Sequence, residues 1–111
     1  MQNLIHEFIH YLSVERGLAS NTLESYGRDL RQYSEYLQQE EEDHASLDSV
    51  SRATIMNYLL YLQAQGKATA TIARRLAALK AFYQFLVREK RIPSDPTANL
   101  ESPKLEKRLP R

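Results

Sequence analysis

The chain has 111 residues, of which 42% are apolar and 26% charged, and a formal net charge of +1, the profile of one small globular domain with a single core. It has no cysteine, only three glycines, and four prolines that all lie at or after Pro93; this excludes disulfide staples and thiolate metal sites and argues against a turn-rich all-β design. The opening MQNLIHEFIHYLSVERG has neither a basic leader nor an unbroken apolar run, so a cytoplasmic protein without signal peptide or membrane span is expected.

Four helical patterns follow one another. Leu4, Ile5, Phe8, Ile9 and Leu12 recur at three-and-four spacing, and Gly17 marks the first stop. Leu23, Tyr26, Leu30, Tyr33 and Leu37 form a second stripe, with Ser20 as the expected N-cap. The acidic run EEEDH then interrupts the pattern as a solvated linker. A third helix is expected after Ser51, burying Ile55, Tyr58, Leu59 and Leu62 before Gly66 ends it. A fourth is expected after Thr69, with Ile72, Leu76, Leu79, Tyr83 and Leu86 on its inner side, and Pro93 and Pro96 forbid its continuation.

Each apolar stripe is narrow, so the helices must bury their faces against one another. The predicted fold is all-α, a four-helix bundle of two helical hairpins, with residues 1–91 as the helical domain. Residues 92–111, with scattered leucines and no periodicity, read as an extended linker carrying Lys104, Lys107, Arg108 and Arg111.

The two hairpins share a corner. GLASNTLESYGRDL begins at Gly17 and GKATATIARRLAAL at Gly66, 49 positions later. Both read glycine, any residue, alanine, hydroxyl residue, any residue, threonine, aliphatic. The match is short enough to be either an internal duplication or convergence on one way of starting a helix.

Charge is distributed unevenly. Residues 1–65 hold four Arg against ten Asp and Glu, a net of −6, whereas residues 66–91 hold seven basic residues against Glu89 alone, a net of +6. This leaves two readings, an anion-binding face or a solvated basic one. The hydroxyl residues at the helix starts bear on the choice. A helix N-terminus presents unpaired N–H groups and partial positive charge, both suited to phosphate. At the second helix Asn21, Thr22 and Ser25 add short polar side chains, with Arg28 a turn further on. At the fourth, Thr69 and Thr71 precede Arg74 and Arg75. Positions 71, 74 and 78 fall off the inner stripe, so this face is expected to be free, and Ala70 and Ala78 to keep it slim enough for a major groove. Arg74 is then placed to reach a guanine edge and Arg75 a phosphate.

Other chemistries have weaker support. His6-Glu7-Phe8-Ile9-His10 matches HExxH, which binds zinc when a third ligand and an open position complete it. The remaining histidine is His44, in the acidic linker, and Phe8 and Ile9 are simpler as core residues. Tyr26, Tyr33, Tyr58 and Tyr83 lie on apolar stripes, where packing with the hydroxyl reaching solvent is the expectation. No glycine-rich phosphate loop and no GxSxG elbow is present. No catalytic, metal or cofactor residue is assigned.

At this point the sequence resembles a family. FIHYLSVERGLASNTLESYGRDLRQYSEYL looks like the start of tyrosine recombinases of the phage-integrase type, particularly the Xer-type recombinases, and TIARRLAALKAFYQFLVREKRIPSDPTANLESPKLEKRLP continues the likeness into the family's interdomain linker. The resemblance covers essentially the whole chain. GLASNTLESYGRDL and DPTANLESPK are its more specific parts; the acidic linker and third helix add little.

The resemblance implies a SAM-like core-binding domain that forms half of a C-shaped clamp on duplex DNA, its second and fourth helices approaching the major groove. It implies Ser20, Asn21, Thr22 and Arg28 on one helix, Thr69, Thr71, Arg74 and Arg75 on the other, and Lys104, Lys107 and Arg108 in the linker as DNA-facing residues. The family's catalytic Arg, Lys and His residues and its nucleophilic tyrosine have no matching position here. This stretch is therefore expected to be non-catalytic, while the parent enzyme cuts and rejoins DNA without metal or nucleotide. The implied partners are a recombination site, other protomers in a synaptic tetramer, and, for chromosome dimer resolution, a paralogous recombinase and a DNA translocase. Phage or transposon integration and a helical protein-interaction module are the alternatives.

Overall fold

The computed structural model describes residues 2–40 and 50–100. They form four helices and, among the described residues, no strand: α1 (Gln2–Val14), α2 (Ser20–Glu40), α3 (Arg52–Ala64) and α4 (Thr69–Arg88). The expected all-α architecture is what the chain adopts. The EEEDH segment, His44 included, lies outside the described residues.

α4 is the hub, packing against α1, α2 and α3, while α1 lies chiefly on α2. That position explains its composition. A helix with three neighbours must be apolar around more of its circumference than one stripe provides, and α4 buries Ala78, Phe82 and Phe85 beyond the expected Ile72, Leu76, Leu79, Tyr83 and Leu86. Phe8 of α1 meets Tyr26, Phe82 and Phe85 at ring-centroid distances of 5.9, 5.6 and 5.4 Å, joining three helices through aromatic edges.

The helix starts fall one residue earlier than the sequence pattern suggests. The Ala19 carbonyl accepts the first helical bond of α2 from the Leu23 N–H, and the Ala68 carbonyl does the same for Ile72 in α4. Ser20 and Thr69 are therefore the first helical residues, not the caps. The cap of α4 is Ala68, whose methyl side chain offers no acceptor. By contrast α3 follows Ser51 as expected, and Ser51 caps it in a reciprocal box with Thr54. Gly66 takes φ +83 at the end of α3, and Gly66 N–H to Gln63 O and Lys67 N–H to Leu62 O close a Schellman turn. The same motif ends α4, but there the left-handed position is Lys90, with φ +62.

Two further expectations are corrected. The hydroxyls of Tyr33, Tyr58 and Tyr83 do not reach solvent; the three residues are at most 1% exposed. Tyr33 and Tyr83 bond hydroxyl to hydroxyl at 2.8 Å, and the Arg75 Nη1 donates to the Tyr58 hydroxyl at 3.4 Å. The reason is that these tyrosines sit where three helices converge, deeper than any single helical stripe reveals. Burial also raises all three phenol pKa values, with Tyr83 adding to the effect at Tyr33 and Arg75 opposing it at Tyr58.

Nor does the chain run out as an extended linker directly after Pro93. Residues 93–100 make turns on the bundle, with Ile92 and Leu100 in the core. The Asp95 carboxylate accepts from the Thr97 N–H at 2.8 Å and its hydroxyl at 2.6 Å, and Arg52 donates to the Ala98 carbonyl at 3.3 Å. An Asx turn of this kind uses the same Asp-Pro-Thr residues that the sequence pattern reads as extended linker.

Candidate nucleic-acid interface

The first halves of α2 and α4 lie side by side and enclose an open cleft of about 300 Å³, lined by Thr22, Ser25, Tyr26 and Asp29 from one helix and Arg74, Ala77 and Ala78 from the other. Thr22, Ser25 and Arg74 are thus brought to one place. Asn21 and Arg28 are exposed on the outer side of α2, and Ser20 is exposed at its start. Thr69 and Thr71 are half-buried at the start of α4. Lys104, Lys107 and Arg108 lie outside the described residues.

The floor of the cleft is an ion pair that the sequence reading missed. Asp29, on the inner stripe of α2, is almost wholly buried, its side chain 3% exposed. Arg74 donates to it twice, Nε to Oδ2 at 3.1 Å and Nη2 to Oδ1 at 3.0 Å, a side-on fork between the two helices. The Arg74 side chain nevertheless stays 49% exposed, and hydrogen bonding to Asp29 raises its pKa further. Arg74 is therefore not on a free face, but fastened along one edge and open along the other.

Arg75 departs further from expectation. Its side chain is only 10% exposed, with Nη1 on the Tyr58 hydroxyl. Its buried Nε lies 3.7 Å from Asp29 Oδ1, too long for a hydrogen bond, and has no hydrogen-bond partner. A guanidinium so enclosed is a core cation behind Asp29 rather than a surface phosphate contact. The cause is the broad buried arc of α4, which takes in position 75 together with Ile72 and Leu79. Ala78, expected on the free face, is buried for the same reason.

The outward strip of α4 is instead Ala70, Ala73, Arg74, Ala77, Lys80, Gln84 and Arg88, each exposed or half-buried. Their three-and-four spacing is visible in the sequence once the helix is placed on three neighbours, and this signal could have found Lys80 and Gln84. Three alanines around one arginine leave a slim ridge, and the N–H groups at the uncapped start of α4 lie at its end.

The HExxH residues do something else. His6 and His10 are exposed on α1, and the Glu7 carboxylate between them accepts from Arg91 Nη2 at 2.6 Å, tying α1 to the turn after α4. Among the described residues no three His, Asp or Glu side chains are grouped to hold a metal. None of the described helices is long and apolar enough to cross a membrane.

Comparison with known proteins agrees with this architecture. A family model described as the phage integrase N-terminal SAM-like domain matches residues 5–90. The chain is 49% identical over its full length to the tyrosine recombinase XerD of Halalkalibacterium halodurans, 43% identical over 99% of its length to that of Oceanobacillus iheyensis, and 38% identical over 99% of its length to that of Staphylococcus aureus. It spans 37% of the length of each of these relatives. No solved structure matches the chain.

Proposed function

The chain belongs to the phage integrase N-terminal SAM-like domain family, and from that premise we propose that it is the DNA-binding domain of a site-specific tyrosine recombinase. The observation that carries the reading is the slim, basic outer ridge of α4 beside the polar start of α2. Small side chains let a helix enter the major groove, and the free edge of Arg74 presents paired N–H donors at the ridge. Thr22 and Ser25 line the same cleft from α2, and with Asn21 and Arg28, exposed on the outer side of that helix, they supply phosphate contacts that fix the domain on the duplex. Ser20, Thr69 and Thr71 bring hydroxyls to the two helix starts, where backbone N–H groups suit phosphate. Lys104, Lys107 and Arg108, outside the described residues, are proposed as further phosphate contacts.

The parent protein, on this reading, breaks and rejoins DNA through a phosphotyrosine link made by a separate catalytic domain, working with other protomers at a paired recombination site. Resolution of chromosome dimers is the role proposed, as the resemblance to Xer-type recombinases implies; the relatives' names support the recombinase reading itself. Titration of a labelled duplex with the chain across a salt series tests the first step. Binding that weakens steeply as salt rises is expected, because phosphate contacts release counterions. Absence of binding at low salt, or binding indifferent to salt, refutes it.

A further inference from the structure

Asp29 is an acidic residue on the face proposed to meet DNA, where a negative charge opposes the ligand. It is also the one buried carboxylate among the described residues. A buried ion pair loses in desolvation much of what it gains in attraction, so stability alone is a poor explanation for it.

The geometry of the fork gives a better one. Asp29 takes the Nε and one Nη2 hydrogen of Arg74, leaving both Nη1 hydrogens and the second Nη2 hydrogen pointing away from the carboxylate. One Nη1 hydrogen and the free Nη2 hydrogen form an end-on pair that matches the O6 and N7 acceptors of guanine, or two phosphate oxygens. Arg75 sits behind the carboxylate at 3.7 Å and adds a second cation to hold it. An arginine so gripped has lost its rotamer freedom before any duplex arrives.

We propose that Asp29 is a positioning residue for duplex recognition, clamping the inner edge of Arg74 so that its outer edge is presented rigidly into the groove. The inference rests on the DNA-binding reading, and it makes a prediction opposite in sign to simple electrostatics. Asp29→Asn removes a negative charge from the DNA face and should tighten binding if charge were all that mattered. If Asp29 positions Arg74, the same change weakens binding by roughly 2- to 10-fold, the scale of ordering one long side chain.

The test is a cycle of wild type, Asp29→Asn, Arg74→Ala and the double variant, titrated against one labelled duplex, with thermal melts to establish folding. With Arg74 present, Asp29→Asn is expected to weaken binding. In the Arg74→Ala background there is nothing left to position, so Asp29→Asn tightens it. Equal or tighter binding by Asp29→Asn with Arg74 present overturns the inference, as does the same weakening in both backgrounds, which would mark a purely structural role. Should Asp29→Asn not fold, Arg74→Lys decides, since lysine keeps the charge and cannot make the fork. It is expected to bind as weakly as Arg74→Ala, and wild-type affinity would overturn the proposal. A wild-type chain that ignores duplex DNA refutes the underlying reading as well, whereas the outcomes above refute positioning alone.

Discussion

The Tyr33–Tyr83 hydroxyl pair is the most exacting local feature of the core. Both residues are 0% exposed, and the two oxygens lie 2.8 Å apart across α2 and α4. Tyr83→Phe removes one oxygen and leaves the Tyr33 hydroxyl in the core without this partner. A stranded buried hydroxyl costs about 1–3 kcal/mol. In a domain of this size each kcal/mol moves the melting temperature by roughly 4–8 °C. Replacing both tyrosines removes both polar groups while keeping the ring shapes, so the double variant should be less destabilised than the two single losses added together. The expected coupling is about 1–2 kcal/mol, measured by urea unfolding of wild type, Tyr33→Phe, Tyr83→Phe and the double variant in a double-mutant cycle. Strict additivity, with both single variants at wild-type stability, would mean that the hydroxyls are not bonded to each other.

Two other outcomes follow from the same core and its edges. The unfolded chain releases tyrosine protons above about pH 10, while buried Tyr33, Tyr58 and Tyr83 hold theirs. Their contribution to stability is constant below that pH and falls above it, by up to about 1.4 kcal/mol per pH unit per tyrosine; urea midpoints that stay level from about pH 9 to 11 would contradict the burial. Lys90 occupies a left-handed conformation at the end of α4 with φ +62, where glycine is preferred. Lys90→Gly is therefore expected to raise stability by up to about 1 kcal/mol in thermal melts, and a destabilised variant would show that the lysine side chain makes a contact worth more than the strain.

Much of this was legible in the residues. The four helices follow from three-and-four spacing, because an amphipathic stripe must be buried and only helix packing is available to it. The Gly66 stop and the Ser51 cap are local solutions that a few residues determine. Arg75 was not legible, because its burial depends on how many helices surround α4, a tertiary fact that periodicity does not encode. Asp29 was visible as an acidic residue among Tyr26, Leu30 and Tyr33, but its meaning needed Arg74, 45 positions away in sequence. The shared corner of the two hairpins persists in the structure one residue out of the expected register. Alanine, not the hydroxyl residue, takes the cap in both, so the helix-start N–H groups receive no side-chain cap from that position.

The central claim is that the duplex meets the outer ridge of α4 and the start of α2. The most direct measurement is an amide chemical-shift map of the chain titrated with a short duplex at low salt. Shifts are expected at Ala70, Ala73, Arg74, Ala77 and Lys80 in α4 and at Asn21, Thr22, Ser25 and Arg28 in α2, with α3 and the exposed side of α1 unmoved. Shifts centred instead on α3 around Leu60, or on the His6 and His10 side of α1, would contradict it.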